Sequence, residues 1–361
     1  METNSILLAF TATTIAFLIN LFMIPFLISL SKKNNWFDDA SDERKIHTGL
    51  ISRLGGIGIV LSLIVSTTIT ALGTCQWTHS SLKFSFGNDH NTLLLLAGFL
   101  LIFMIGILDD FANLQARIKL IGQIIASLLV IFAGVGIRYF SIPFSEITIN
   151  LGYFGPVITL IWIVGISNAV NLIDGMDGLS SSISAIATSV YAIIFLLNGY
   201  YILSIICFTL MGSVIGYLFY NFPPARIFMG DSGSLSLGFL LAVLPLIASP
   251  LSGISLVMPV IMLAIPIGDV LAAIIRRKRK GLHFFIPDRE HMHHKLLNMG
   301  LDERQILALI NGIQIFSGFS IILFYSIESY LRYFPILAAG LLVLTMFIYL
   351  HYRHHHSNDN R

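Results

Sequence analysis

Asn168-Ala-Val-Asn171-Leu-Ile-Asp174-Gly-Met-Asp177-Gly-Leu179 closes a long apolar run, and its polar side chains at 168, 171, 174 and 177 recur every three residues. On an α-helix of about 3.6 residues per turn, each step of three rotates a side chain by about 60°, so the set would fan over roughly half a turn. One straight helix therefore cannot aim all of them at one ion. Gly175 and Gly178 supply the remedy, because glycine accepts the backbone angles of a helix end or tight turn. The stretch reads as helix, then loop, then helix, with Asp174 and Asp177 folded back toward a ligand. Oxygen ligands gathered beside an apolar span point to a magnesium-dependent phosphate site.

Working outward, the composition fixes the solvent. Of 361 residues, 56% are hydrophobic and 11% charged, with a mean hydropathy of +0.84, whereas a soluble domain carries about 25% charged residues. The expected fold is an all-α polytopic membrane protein, one domain over residues 1–361. Hydrocarbon about 30 Å thick takes roughly 20 apolar residues per helix. Eleven segments approach that length: 5–30, 54–74, 91–108, 118–136, 155–170, 180–197, 201–220, 234–248, 254–275, 306–326 and 331–349. The segment at 234–248 is the shortest of them.

Lysine and arginine accumulate in cytoplasmic loops. An N-terminus placed outside puts 18 of the 21 basic residues inside and leaves only Lys83, Arg138 and Arg332 outside. An odd number of spans then puts the C-terminus, with His354 to His356, in the cytoplasm; that tail is too short and ordinary for a metal site. The first apolar run is longer than a signal-peptide core and has no basic segment before it, so it is expected to remain as the first span. Cys75 and Cys207 lie in different settings and give no disulfide or metal framework. The net charge of +2 argues neither for nor against nucleic acid, but basic loops beside the anionic inner leaflet favour phosphate-bearing partners, and no nucleic-acid partner is expected.

With that topology every polar cluster falls on one side. Asp109-Asp110 closes the third span, where a carboxylate at the partially negative end of a helix is disfavoured unless a cation is near. The bland alternative is that Asp110 or Asn113 caps the next helix, whose Lys119 could instead neutralise a phosphate. Phe228-Met-Gly230-Asp231-Ser232-Gly233-Ser234 resembles a phosphate or metal loop, with Asp231 offering a hard oxygen, although a serine or aspartate there could simply cap the eighth span. Asn221, before Pro223-Pro224, reads by itself as structural. Residues 276–305 form the largest inner loop, and its Asp288-Arg289-Glu290-His291-Met292-His293-His294-Lys295 packs imidazoles among cations, a poor set for zinc but suited to anionic oxygens. Gly55-Gly56 reads as a close packing point. Asp269 sits among apolar residues, either functional by virtue of being ionisable inside a span or paired with Arg276 or Arg277.

Together these residues resemble the polyprenyl-phosphate N-acetylhexosamine-1-phosphate transferases, relatives of the phospho-N-acetylmuramoyl-pentapeptide transferases. The resemblance rests on Asp109-Asp110 with Leu114, Lys119, Leu120 and Gln123; on Asn168 to Leu179; on Asn221 with Gly230 to Ser234; and on His291-Met-His293-His294. It implies transfer of a sugar 1-phosphate from a UDP-sugar to undecaprenyl phosphate in the bacterial inner membrane, yielding UMP and a lipid-linked pyrophosphate sugar for cell-envelope polysaccharide. It also implies a Mg2+ cofactor, with Asp231 as ligand, Asp177 as a second ligand, and Asp109 and Asp110 near the metal and lipid phosphate. Asn171, Asp174 and Asp177 would contact the nucleotide side, Lys119, His291, His293 and His294 would hold pyrophosphate or sugar, and Asn221 is expected among the substrate-binding residues. Both a direct transfer and a two-step route through an aspartyl nucleophile are open at this level. The separated histidines after Asp288 are similar to the transferases of GlcNAc 1-phosphate, whereas muramoyl-pentapeptide enzymes show successive histidines followed by Phe-Glu; the expected donor is UDP-GlcNAc. Ser52 departs from the family, where proline is common. Relatives are often dimeric, which makes a homodimer an expectation of the resemblance. An intramembrane prenyltransferase would leave the histidine and Gly-Asp-Ser-Gly-Ser elements without a role, and a transporter would place its acids near mid-membrane.

Overall fold

In the computed structural model, residues 2–37, 51–77, 89–141, 148–252, 256–281 and 291–359 are described. They form α1 (Glu2–Asn34), α2 (Gly55–Trp77), α3 (Asp89–Ala112), α4 (Ala116–Phe132), α5 (Phe154–Ile173), α6 (Leu179–Leu197), α7 (Tyr201–Asn221), α8 (Gly230–Ser252), α9 (Val257–Met262), α10 (Ala264–Arg279), α11 (Met292–Asn298), α12 (Glu303–Ser326) and α13 (Tyr333–Asp359). A small antiparallel hairpin, β1 (Tyr139–Ser141) and β2 (Thr148–Asn150), joins α4 to α5. Asp288, Arg44, Lys45 and His47 fall outside the described residues.

The chain is an all-α, multi-pass membrane protein. Among the described residues, nine helices are long and apolar enough to cross a bilayer: α1, α2, α3, α5, α6, α7, α8, α12 and α13. The other two expected spans take different forms. The segment expected at 118–136 becomes α4, which has 17 residues. The one at 254–275 is broken at Leu263 into α9 and α10, and α10 runs on through Arg279, so the basic run forms its last turn.

Helix α8 is the hub, with 89% of its span buried against 22% for α1 and 17% for α13. The expectation for this helix began four residues too late, because Gly230 to Gly233 look like a loop in sequence yet form its first turn. Helices α3 and α5 pack along α8, and α1 and α2 pack on α7. Small residues allow these approaches. A Cβ on Gly212 or Gly216 of α7 would come within 2.3 Å of Thr13 O or 2.7 Å of Phe17 O on α1, the arrangement by which small residues four apart let helix backbones meet where no water drives association. Polar bonds add specificity: Asn20 Nδ2 donates to Ser213 O at 2.7 Å, and Trp162 Nε1 donates to Ala242 O at 3.1 Å. A second apolar cluster, Ile173, Met176, Leu179, Met292, Leu296, Ile306 and Leu307, lies under the 174–178 loop and fastens α11 and α12 to it.

Candidate active site

The C-terminal ends of α3 and α5 and the N-terminal ends of α4 and α8 meet at one end of the bundle, opposite the hairpin. Segment 52–56 locks onto the strand-like stretch before α8: Phe228 N donates to Ser52 O at 2.8 Å, Gly55 N to Phe228 O at 3.0 Å and Gly56 N to Met229 O at 2.8 Å. Ser52 also bonds Ser31 through their hydroxyls at 2.7 Å. A hydroxyl there ties α1 to the loop. Gly55 and Gly56 are the packing point expected of them, since a Cβ on Gly56 would lie 2.0 Å from Gly233 N.

Asp110 is the cap of α8. Its Oδ1 accepts from Asp231 N at 2.6 Å and its Oδ2 from Ser232 N at 3.1 Å, so a carboxylate from α3 satisfies two orphan donors at the positive end of α8. Gly230 turns into the helix with a φ of 70°, and a Cβ there would meet the Asp110 oxygens. The conflict foreseen for an acid at the end of α3 is thus resolved by another helix's N-terminus.

Asp109 and Asp231 are joined by one cation. Lys119 Nζ donates to Asp109 Oδ2 at 3.2 Å and to Asp231 Oδ2 at 2.9 Å. Asp109 Oδ1 accepts from Leu114 N at 2.7 Å, closing the turn between α3 and α4. Asn171 Nδ2 donates to Asp231 Oδ1 at 3.1 Å and to Ser234 Oγ at 2.8 Å. Four helices therefore place oxygen and ammonium groups around Asp231, whose side chain keeps 22% exposure.

The stretch 168–179 distributes its polar groups as the step of three requires. Asn168 pairs reciprocally with Gln123 of α4, at 2.6 and 3.3 Å. Asp174 follows the last turn of α5, and its carboxylate makes no hydrogen bond among the described residues. Desolvation pushes its pKa well above the ordinary carboxylate value, and the charges of Asp231, Asp110 and Asp177 push it further. Asp177 is buried, and its Oδ2 accepts from Ala225 N at 2.8 Å. Asn221 is buried too: its Oδ1 accepts from Gly178 N and Ser181 Oγ, both at 3.0 Å, and its Nδ2 donates to Ile227 O at 3.0 Å. Asp177 and Asn221 thus stitch the 174–178 loop to the 222–229 loop.

The histidines join this frame through Gly175, where a Cβ would lie 3.0 Å from His293 Nε2. His293 is buried, and neither ring nitrogen has a hydrogen-bond partner among the described residues. Burial, followed by the nearby His294, depresses its pKa to about 3, so it is neutral near pH 7. Its ring is parallel to that of His291, with centroids 6.1 Å apart, and tilted by 42° against that of His294, at 4.2 Å. His291 Nδ1 lies 2.8 Å from Asp269 Oδ2. Asp269, left open by sequence between a functional role and an arginine pair, is the partner of the first histidine.

The donor set suits a hard divalent cation. Asp231 and Asp174 offer oxygens, one of them unbonded and desolvated among like charges, which a cation would relieve. Among the described residues, no group of three acidic, histidine or cysteine side chains closes on one point, so substrate phosphates and water would complete a magnesium shell, as is usual for that ion.

Comparison with known proteins agrees with this architecture. The glycosyl transferase family 4 pattern matches residues 92–249, the span from α3 through α8. The chain is 32% identical over 328 residues to a probable undecaprenyl-phosphate N-acetylglucosaminyl 1-phosphate transferase of Bacillus subtilis (strain 168), covering 89% of this chain and 87% of that protein. It is 31% identical over 280 residues to an undecaprenyl-phosphate alpha-N-acetylglucosaminyl 1-phosphate transferase of Yersinia pestis, covering 75% and 72%. It is 33% identical over 307 residues to a phospho-N-acetylmuramoyl-pentapeptide-transferase of Geobacillus sp. (strain WCH70), covering 81% and 89%. The chain belongs to the polyprenyl-phosphate N-acetylhexosamine-1-phosphate transferase family, the membrane phosphotransferases of glycosyl transferase family 4.

Proposed function

We propose that the protein transfers GlcNAc 1-phosphate from UDP-GlcNAc to undecaprenyl phosphate at the cytoplasmic face of a bacterial inner membrane, releasing UMP and feeding a cell-envelope polysaccharide. The observation that carries the reading is the Asp109–Lys119–Asp231 bridge, which joins α3, α4 and α8 where the helix ends meet. Identity of 32% to a GlcNAc enzyme and 33% to a muramoyl-pentapeptide enzyme leaves the sugar to the His291-Met-His293-His294 spacing, which favours GlcNAc.

An oxygen of the lipid phosphate attacks the sugar-bearing phosphorus of the donor, the bond from that phosphorus to the bridging oxygen breaks, and UMP leaves with the electron pair. Both reactants are anionic, and unit charges 4 Å apart interact by about 4 kcal/mol at an effective dielectric of 20. Magnesium, when bound, supplies charge neutralisation and orientation of the phosphates. We assign its protein ligands to Asp231 and Asp174: Asp174 makes no hydrogen bond among the described residues, and Asp231 is held by the side chains of Lys119 and Asn171, which can turn to phosphate oxygens, whereas Asp177 gives an oxygen to the backbone of Ala225; Asp177 and Asn221 act as braces. Lys119 is placed to follow negative charge from the carboxylates onto phosphate oxygens. His293, held neutral, contributes shape and a hydrogen bond, and the partly buried His294 faces the donor.

Both oxygens of Asp109 are engaged, by Leu114 N and Lys119, and both of Asp231, by Asn171 and Lys119. An aspartyl nucleophile would have to give up these bonds, which supports direct displacement. The test is purified protein with undecaprenyl phosphate and a panel of UDP-sugars, measuring UMP. UMP release with UDP-GlcNAc is expected, and a donor chiral at the sugar-bearing phosphorus is expected to invert. Retention would establish two displacements, and release of pyrophosphate in place of UMP would overturn the assignment.

A further inference from the structure

We propose that Asp269 is a positioning residue for the transferase, acting through His291. The inference rests on the reading of the histidine loop as donor-binding, and it concerns a residue of α10 remote in sequence from that loop. Asp269 lies on a helix flanked by apolar residues and is only 2% exposed. Burying an ionised carboxylate is costly unless it is paired and hydrogen-bonded, so its bonds define its role. Oδ2 lies 2.8 Å from His291 Nδ1, and Oδ1 accepts from Met292 N at 2.8 Å.

The second bond caps the first turn of α11, where His291 is the N-cap residue and its own side chain makes no cap bond. The first bond determines which imidazole nitrogen carries the proton. A carboxylate only accepts, so Nδ1 carries the hydrogen, and Nε2 is left as the nitrogen that can face a substrate. The ring is also fixed in plane: His291 and His293 are stacked with 5° between them. One carboxylate therefore sets the start of the histidine helix, the orientation of His291 and its tautomer.

Substitution separates these duties. In Asp269→Asn the amide oxygen can still accept from Met292 N–H, preserving the cap, while the amide N–H2 faces Nδ1 and forces the proton to Nε2. Nitrogen-15 spectra of histidine-labelled protein in nanodiscs, assigned with His291→Gln, should show the Nδ1–H form of His291 in the unmodified chain and the Nε2–H form in Asp269→Asn. Changing the outer-shell partner of a metal-ligating histidine typically costs about 10- to 100-fold; by analogy with a carboxylate that orients a donor-binding histidine, kcat/KM for UDP-GlcNAc should fall by about that factor. The same substitution made on His291→Gln should cost less than about twofold more, because the group it positions is gone.

A role confined to capping α11 leaves Asp269→Asn at full activity, because the amide oxygen keeps the bond to Met292 N, and unchanged kcat/KM overturns the proposal, as do losses that multiply with those of His291→Gln. So does an Nε2–H tautomer at His291 in the unmodified protein, a measurement that needs no variant to fold. If the unmodified protein releases no UMP, the function proposed above falls, and the tautomer alone then decides this inference.

Discussion

Asp110 and Asp231 share a side chain and meet at the same turn, yet their bonds give them different duties. Asp110 commits both oxygens to the backbone of α8, whereas Asp231 is held by side chains and keeps solvent exposure. Asp110→Asn, with one amide oxygen for two N–H donors, should cost about 1 kcal/mol, the usual worth of a cap, and lower turnover because Asp231 begins the turn it caps. Asp231→Asn should leave the melting temperature within a degree or two and reduce UMP release by about 10²- to 10³-fold, as when one preorganised charge-stabilising group is lost. Thermal melts beside turnover assays check both, and near-normal turnover by a folded Asp231→Asn protein would reject its metal role. His293 gives a prediction in pH. Its folded pKa of about 3 lies below the unfolded value of about 6.5, so below pH 6.5 the unfolded chain binds the proton and the folded chain does not. Stability is unaffected above that range and falls by up to about 1.4 kcal/mol per pH unit as pH drops from 6.5 toward 3. His293→Gln should flatten that slope in melts taken from pH 7 to 5. Sequence identified these residue types well, because few polar groups survive in so apolar a chain. It could not give their partners: Asp177 reads as a ligand and Asn221 by itself as structural, while the bonds of Asn221 to Ser181 and Ile227 and of Asp177 to Ala225 appear only in three dimensions.

At the scale of elements, the site depends on how closely α3 and α2 approach the first turn of α8. Gly106 faces that turn, and a Cβ there would lie 2.4 Å from Ser232 Cα and 2.6 Å from Asp231 O. These are backbone atoms, which cannot swing aside, so Gly106→Ala must move the helix that carries Asp231. An overpacking cost of about 1–3 kcal/mol is expected, together with a turnover loss larger than that of Gly165→Ala, whose Cβ meets nothing within 4 Å. Equal activity of the two variants would show that the position of α8 does not control the chemistry. Helix existence was legible from apolar run length, and so was the break at Gly175 to Gly178, because glycine spacing and polar spacing agreed. Two things were not legible. The start of α8 was hidden because its first turn is made of Gly, Asp and Ser, residues typical of loops, and is stabilised by Asp110 from far along the chain. The break at Leu263 was hidden because both halves are apolar and no polar residue marks the joint.

For the whole molecule, the helix ends decide which chemistry shares a side. Lys119 lies in the first turn of α4, Asn171 in the last turn of α5, Asn221 ends α7 and Asp231 lies in the first turn of α8, and their bonds bring these ends together, while the β1–β2 hairpin occupies the far end of α4 and α5. The charge distribution orients this object: the site end carries Lys32, Lys33, Arg117, Lys119 and the last turn of α10, and the hairpin end carries Arg138. Cytoplasmic loops collect such residues, which is the polarity that the proposed function requires. Labelling can test this where side chains are exposed. Met229 and Met292 are buried and would report poorly, but Gln115 and Asn298 are exposed at the site end, and Tyr153, 99% exposed, lies beside the hairpin. In a background lacking Cys75 and Cys207, cysteines at 115 and 298 should react with an impermeant maleimide only in inside-out vesicles, and a cysteine at 153 only in intact cells. UDP-GlcNAc should not alter labelling at 153. The reverse pattern would invert the molecule in its membrane and require the donor to bind outside, and labelling of 115 and 298 from opposite sides would break the common site itself.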